Sequence, residues 1–193
     1  MGNIIDNDHG DSGGEYDDTE RKRGDCNEIV PGIYLGNAAM AKDRLWLLAH
    51  GIDTIIDVGA NNKPYHDDIC KYYIHPILDH PEEYIPRLFP QIFEVLDENQ
   101  RLGRGTLVHC YAGVSRSASV VIGYLISRYG MSYPDALVHV QNARDVVNPN
   151  VGFRKQLIEF EAQHKNKQQW DTYRRFEKSM LLQPQFRYYE ESS

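Results

Sequence analysis

The chain has 193 residues, of which 41% are apolar and 25% are charged, a composition typical of one globular domain with a substantial core. Its formal charge of −7 argues against general binding to nucleic acid or insertion into an anionic membrane, because such proteins usually carry a basic excess. Three cysteines fit neither a disulfide framework nor a zinc cluster, and we recognise no secretory signal or long apolar run, so we expect a reducing compartment, the cytoplasm or the nucleus.

The first 26 residues are predicted to form a disordered acidic arm. Residues 1–25 contain eight Asp or Glu and few large apolar side chains, and such a segment cannot bury enough apolar surface to fold. The basic run Arg21-Lys22-Arg23 is short and flanked by acidic residues. We interpret it as solvated charge rather than as a nuclear signal.

From Asn27 the sequence alternates predicted strands with predicted helices. Apolar patterning indicates strands at 29–30, 33–35, 52–58, 72–78 and 106–109, and helices over 38–50, 83–99, 117–128, 132–144 and 151–163. This alternation predicts an α/β fold with a central mixed, largely parallel sheet flanked by helices. In such sheets, ligands bind beyond the carboxyl ends of the strands.

Residues 164–193 are expected to form an extension outside a domain at 27–163. Trp170, Tyr173, Glu177 and Met180 recur at helical spacing, which predicts a short amphipathic helix over 169–182. We expect this helix to pack on the domain or on a second copy of the chain, as a homodimer. A partner-binding tail is the alternative.

One loop, between the strand at 106–109 and the helix from Ser117, has the features of a reactive anion site. Successive loop amides converge there on a helix N-terminus, which attracts anions. Cys110 starts the loop and Arg116 follows six residues later, so amide dipoles and a guanidinium would favour the thiolate over the thiol. Gly113 stands where a tight turn needs positive φ. A buried structural cysteine is the alternative.

The segment 109–117, His-Cys-Tyr-Ala-Gly-Val-Ser-Arg-Ser, resembles the signature of cysteine-dependent protein tyrosine phosphatases. Residues 112–117 resemble the dual-specificity branch in particular. The stretches at 30–37, 51–58 and 148–153 are similar to the opening strand, the next strand and the closing loop of that family. The resemblance covers residues 27–163 and implies a protein tyrosine phosphatase-like fold.

The resemblance also implies a mechanism with a cysteinyl-phosphate intermediate. Cys110 would be the nucleophile, and Arg116 would hold two phosphate oxygens with its planar guanidinium, which a lysine cannot reproduce. The phosphate-binding segment comprises Tyr111, Ala112, Gly113, Val114, Ser115 and Arg116. No cofactor and no metal are expected, because no group of His, Cys and Asp has metal-ligand spacing.

Asp79 is the predicted general acid. It directly follows a predicted strand and lies thirty-one residues before Cys110, a placement that resembles the family's acid on a separate, mobile loop. Asp79 could instead cap a helix that begins near residue 81 or 82. Glu82 and Glu83 are the fallback acids.

Three further residues are expected to support the site. The family resemblance implies that Ser117 hydrogen-bonds the Cys110 sulfur and helps it leave as a thiolate, with helix capping as the alternative. Asn150 either supports the phosphate loop, as the resemblance implies, or simply caps the helix that follows. His109 is expected to orient the loop backbone rather than to transfer protons.

Two modification questions stay open in the sequence. Cys26 and Cys70 are expected to be small apolar side chains, with a redox disulfide to Cys110 as the alternative. The start Met1-Gly2-Asn3 resembles that of myristoylated members of the family. However, Asp6 stands where the acceptor pattern has a small or hydroxyl residue, so we expect no lipid on Gly2.

Two classes of function are compatible with these residues. The first is a metal-independent dual-specificity phosphatase that acts on phosphotyrosine and on phosphoserine or phosphothreonine in proteins, a protein kinase among the candidate substrates. The second is a pseudophosphatase that captures phosphoprotein without turnover, but such relatives usually lack the Cys or the Arg. A phosphoinositide or RNA 5′-phosphatase is a further alternative, although those relatives tend to have basic loop residues where this chain has Tyr111, Ala112 and Val114.

Overall fold

The computed structural model describes residues 26–59 and 63–181. The predicted arm, apart from Cys26, and the lipidation site at Gly2 lie outside the described residues. Cys26 lies in a described strand, so the last residue of the predicted arm belongs to the sheet rather than to a disordered segment. The domain boundaries at 27–163 stay a prediction.

A five-stranded sheet forms the centre of the fold. The strands are β1 (Cys26–Val30), β2 (Ile33–Gly36), β3 (Ile52–Asp57), β4 (Lys71–Ile74) and β5 (Gly105–His109), in the order β1-β2-β5-β3-β4. β1 pairs antiparallel with β2, whereas the other three pairings are parallel. This confirms the predicted mixed, largely parallel sheet, and it places β5 between two parallel neighbours.

Helices cover both faces of the sheet. The α-helices are α1 (Arg44–Ala49), α2 (Phe89–Arg101), α3 (Arg116–Tyr129), α4 (Tyr133–Ala143) and α5 (Val151–Leu181), and short 3-10 helices span Met40–Lys42 and Ile85–Leu88. Within the described residues, none of these helices is long and apolar enough to cross a bilayer.

Two predicted helices begin differently in the structure. The predicted helix at 38–50 is split, because Asp43 leaves the helical conformation and its side chain accepts a hydrogen bond from the Trp46 amide, capping α1. The predicted helix at 83–99 consists of a 3-10 turn followed by α2, which has Pro90 in its first turn, a position that proline tolerates.

Two other predicted boundaries were also wrong. The predicted strand at 72–78 ends at Ile74, before Pro76, which has no amide to donate to a ladder. The helices predicted separately at 151–163 and 169–182 form one helix, α5. No glycine or proline occurs between Phe153 and Leu181, so no helix-breaking residue interrupts it.

The core positions one loop. β5 is buried along its whole length, and residues 117–127 of α3 are all buried. The larger core cluster joins β5 and α3 to α2, α4 and α5, whereas a smaller cluster around Trp46 and Leu47 covers the opposite face. The loop at 110–115 is therefore held between two deeply buried elements of the fold.

Candidate active site

The loop at 110–115 leaves the carboxyl end of β5 and enters the N-terminus of α3, as the sequence predicts. Gly113 has φ +68°, which confirms the positive φ expected there. A Cβ on Gly113 would also lie 2.5 Å from the carbonyl oxygen of Gly36 at the end of β2. Both backbone conformation and space therefore require glycine.

Replacing Gly113 by Ala is expected to lower activity by about 100-fold, because the added methyl group must displace the loop amides from the position an anionic group would occupy. Gly103→Ala is a matched control. Gly103 also has a positive φ, +66°, but a methyl group added there would have no atom within 4 Å. The control substitution therefore has only the conformational cost, about 1 kcal/mol. Phosphate release and thermal unfolding would be measured for both. Full activity in Gly113→Ala would contradict a loop shaped for phosphate.

Cys110 lies at the bottom of the loop, with 2% of its surface exposed. Its sulfur accepts hydrogen bonds from the Gly113 amide and from the Ser117 hydroxyl, both at 3.2 Å. Donors directed at a sulfur stabilise negative charge on it. The predicted hydrogen bond from Ser117 to the Cys110 sulfur is therefore present.

Arg116 begins α3 and projects towards the segment after β4. Its Nη1 donates to the carbonyl of Ile77 at 3.2 Å, and its Nε lies 3.9 Å from Asp79 Oδ2. That Nε is buried without a hydrogen-bond partner. A buried donor without a partner is unusual in proteins and indicates a site for an acceptor such as a phosphate oxygen.

Asp79 is held beside the loop by two side chains. Its Oδ1 accepts hydrogen bonds from Ser115 Oγ at 2.7 Å and from Asn150 Nδ2 at 2.8 Å. The following helical segment begins only at Ile85, and its N-cap residue, Tyr84, makes no side-chain cap. Asp79 is therefore not a helix cap.

Asn150 makes the contacts of both predicted alternatives, a helix cap and a contact with the loop. Its Oδ1 accepts from the Phe153 amide at 2.9 Å, which caps α5. Its backbone amide donates to Ser115 Oγ at 3.0 Å, so the same residue connects α5 to the phosphate loop. One asparagine thus links α5, the loop and Asp79.

Known proteins share this arrangement of sequence and fold. The family model described as dual specificity phosphatase, catalytic domain, matches residues 33–163. The chain belongs to the dual specificity phosphatases. It is 41% identical over 147 residues to human serine/threonine/tyrosine-interacting protein, covering 72% of this chain and 66% of that protein. It is 38% identical over 135 residues to human dual specificity protein phosphatase 22, covering 70% and 73%.

The fold agrees with a solved structure from the same family. The crystal structure of human tyrosine phosphatase-like serine/threonine/tyrosine-interacting protein superposes with a TM-score of 0.71 at 40% identity, covering 74% of this chain and 99% of that one. The predicted protein tyrosine phosphatase-like fold is confirmed.

In this dual specificity phosphatase, the segment that carries Asp79 is anchored to α5. Gln156 Oε1 accepts from the Ile85 amide at 3.0 Å, and its Nε2 donates to the carbonyl of Glu83 at 2.8 Å. A Cβ on Gly152 would lie 1.9 Å from the carbonyl oxygen of Pro81, so the backbones meet closely there. The packing of this segment on α5 fixes the position of Asp79 in the structure. The predicted mobility of the segment stays a prediction.

Gln156→Leu is expected to lower kcat about tenfold on aryl phosphates with poor leaving groups, because losing both anchors lets Asp79 move from its position. The loss should be smaller on an activated aryl phosphate, which needs little proton transfer. Gln163→Leu, at an exposed position of the same helix, is the control. Equal losses on both substrates would mean that Gln156 affects folding alone.

Glu82 and Glu83, the fallback acids, are placed less favourably. The Glu83 carboxylate lies 3.7 Å from Arg87, on the following 3-10 turn, and Glu82 is exposed. No hydrogen bond joins either carboxylate to the phosphate loop in the described part of the chain. Asp79 therefore remains the better candidate.

Arg144 is a site residue that the sequence analysis missed. It is 4% exposed, and its guanidinium donates to the carbonyls of Gly113 at 2.9 Å and Ala112 at 3.1 Å. These bonds hold the loop carbonyls away from the site, so that the amides can face it. An arginine at the end of α4 looks like an ordinary helix C-terminal cation in the sequence, and the contact spans thirty-one residues.

Asp57 was also missed, although a carboxylate ending a buried strand is a signal. It is 6% exposed; its Oδ1 accepts from the Gly59 amide at 2.7 Å, and its Oδ2 lies 3.8 Å from His109 Nε2. Burial lowers the pKa of His109, and the Asp57 carboxylate opposes that shift. His109 Nδ1 lies 3.2 Å from the Cys110 carbonyl, and the role of His109 in orienting the loop backbone stays a prediction.

The other two cysteines lie apart from Cys110. Cys70 donates to the carbonyl of Ile52 at 3.3 Å, at the amino ends of the parallel strands. Cys26 pairs with Gly36, which pairs with His109, so two strand spacings of about 4.8 Å separate Cys26 from β5. A disulfide spans Cα atoms at most about 7 Å apart, and neither cysteine meets that limit without movement of the backbone.

Proposed function

We propose that this chain is an active dual-specificity protein phosphatase that hydrolyses phosphotyrosine and phosphoserine or phosphothreonine through a cysteinyl-phosphate. The observation that carries the proposal is the Cys110 sulfur, which accepts two hydrogen bonds under the loop amides. Arg116 Nε and Asp79 Oδ2 lie 3.9 Å apart beside this loop, which supports the proposal.

In the first step, the Cys110 thiolate attacks phosphorus and the bond from phosphorus to the ester oxygen breaks. Asp79, in its protonated form, gives its proton to the departing oxygen. The amides of residues 111–116 and the Arg116 guanidinium bind the equatorial oxygens, whose charge they stabilise in the transition state.

In the second step, water attacks the phosphocysteine and the sulfur–phosphorus bond breaks. The Asp79 carboxylate takes a proton from the water, which restores the acid. Ser117 donates to the sulfur at 3.2 Å, so the thiolate leaves with its charge already hydrogen-bonded. The products are inorganic phosphate and the starting enzyme.

Two observations weigh against the alternatives. The first observation concerns the pseudophosphatase alternative. One relative is named an "interacting" protein, and its crystal structure is described as "phosphatase-like". In this chain, however, both Cys110 and Arg116 are present and make the hydrogen bonds described above. The loop side chains Tyr111, Ala112 and Val114 carry no charge, which favours a phosphoprotein over a phosphoinositide or an RNA 5′-end, since these bring additional phosphates.

The proposal extends to partners and compartment. Phosphorylated proteins, protein kinases among them, are the proposed substrates in the cytoplasm or nucleus. The extension at 164–193 remains a proposed contact for a second copy, and α5 continues through it to Leu181.

A substrate panel tests the proposal. Phosphotyrosine and phosphothreonine peptides and phosphatidylinositol phosphates would be compared by phosphate release, with vanadate and a chelator added in separate arms. We expect release from the peptides, inhibition by vanadate as a phosphate mimic, and no effect of the chelator. Release from the lipids alone would replace the proposed substrate class.

Arg116→Lys is expected to lower kcat by about 10²–10³, because a lysine retains the charge but not the planar pair of donors that matches two phosphate oxygens. Arg101→Lys is the control, since Arg101 pairs with Glu98 on the exposed side of α2 and lies outside the loop. An unchanged kcat in Arg116→Lys would remove Arg116 from the mechanism.

A further inference from the structure

A groove of about 560 Å³ runs along the outer side of the phosphate loop. One wall is formed by Tyr111, Ala112 and Val114, which belong to the loop itself. The opposite wall is the segment 37–42, which follows β2. A phosphopeptide whose phosphate lies over Cys110 would therefore pass next to this groove.

The groove has a fixed shape. The Ala38 amide donates to the carbonyl of Tyr111 at 3.1 Å, which ties the two walls together. Asn37 Oδ1 accepts hydrogen bonds from the Ala39 and Met40 amides. Arg144 donates hydrogen bonds to the loop carbonyls. Since both walls are hydrogen-bonded in place, a ligand would meet a preformed surface.

The groove is locally positive on a chain that carries a net charge of −7. Its nine lining residues include two cations, Lys42 and Arg144, and no acidic side chain. Asp145, the next residue after Arg144, is exposed and does not line the groove. The remaining lining is mostly small and apolar, which leaves room for a side chain.

Lys42 is the cation available to a ligand. Arg144 is bonded to the loop, whereas Lys42 is exposed and forms no ion pair with any residue in the described ranges 26–59 and 63–181. Its Nζ lies 4.9 Å from the ring centroid of Tyr65, and His66 Nε2 lies 2.8 Å from its carbonyl oxygen. The Tyr65 ring restrains the ammonium group and the His66 bond restrains the backbone of Lys42, a residue that lines the groove.

We infer that this groove is a specificity subsite for an acidic side chain of the phosphoprotein substrate, close in sequence to the phosphorylated residue, with Lys42 as the specificity-determining residue. The inference rests on the proposed phosphatase function. Charge complementarity at an exposed pair acts mainly on productive encounter and binding, so acidic substrates should differ in kcat/KM rather than in kcat.

The test uses phosphopeptides in which one Glu is moved through the positions flanking the phosphorylated residue, with matched Gln and Lys peptides. The protein should hydrolyse the best Glu peptide about three- to tenfold more efficiently than its Gln counterpart, as expected for an exposed ion pair. Lys42→Glu should abolish this preference and favour the Lys peptide. Activity on a small aryl phosphate, which does not reach the groove, should be unchanged.

Lys71→Glu is a matched control. Lys71 also lies over a tyrosine ring, 4.7 Å from the Tyr73 centroid, but it stands at the amino end of β4, away from the phosphate loop. The substitution makes the same change of charge and should keep the Glu preference. Loss of the Glu preference in both variants would overturn the subsite, because the preference would then reflect the net charge of the protein alone.

Two other outcomes also overturn the inference. The first is an unchanged preference in Lys42→Glu. The second is a Glu preference that appears only after residues 1–25 are removed, which would mean that the acidic arm of this chain occupies the groove. If the protein hydrolysed no substrate at all, the proposed function would fail separately, and affinity of the same peptides for the protein and for Lys42→Glu would still decide the subsite.

Discussion

Cys110→Ser is expected to abolish phosphate release while keeping affinity for phosphopeptides. The hydroxyl of serine is not ionised near neutral pH, so the loop would hold a poor nucleophile in place of a thiolate. The amides of residues 111–116 and the Arg116 guanidinium remain, and these groups bind the phosphate. The measurement is turnover on an aryl phosphate together with the dissociation constant of a phosphopeptide.

Cys70→Ser is the control for this substitution. Cys70 is a buried thiol that donates to the carbonyl of Ile52, and a serine hydroxyl can make the same bond, so turnover should stay near that of the parent. Residual activity of Cys110→Ser above about one hundredth of the parent would indicate another nucleophile. Loss of both turnover and affinity would mean that the thiol maintains the shape of the loop.

The loop at 110–115 could be predicted from sequence because its determinants are local. Cys110, Gly113 and Arg116 lie within seven consecutive residues between a buried strand and an apolar helix. The strand fixes where the loop starts, the helix fixes where its amides converge, and the positive φ of Gly113 follows from the turn. The structure adds distances here, but the arrangement was already implied.

The supports of the site could not be predicted in the same way. Arg144 reaches Gly113 across thirty-one residues, and Gln156 reaches Glu83 across seventy-three. Both are ordinary helical residues in the sequence, since neither periodicity nor capping distinguishes a side chain that bonds a distant backbone group. Only the packing of α4 and α5 against the sheet brings these side chains to the loop segments.

Asp79→Asn is expected to lower kcat by about 10²–10⁴ on aryl phosphates with poor leaving groups, the usual size of general-acid catalysis. The amide cannot give a proton to the departing oxygen, but its oxygen can still accept from Ser115 and Asn150. The site should therefore keep its geometry. On an activated aryl phosphate, whose leaving oxygen needs little protonation, the loss should be clearly smaller.

The pH dependence distinguishes Asp79 as an acid from Asp79 as a structural acceptor. General-acid catalysis by one group and nucleophilic attack by another need opposite protonation states, so activity should pass through a maximum with pH and fall on its alkaline side as the acid loses its proton. Asp79→Asn should flatten that alkaline limb, whereas Glu82→Gln and Glu83→Gln should leave it intact. Equal losses on both substrates with an intact alkaline limb would assign Asp79 to positioning alone. Loss of the limb in a glutamate variant instead would transfer the role of acid to that residue.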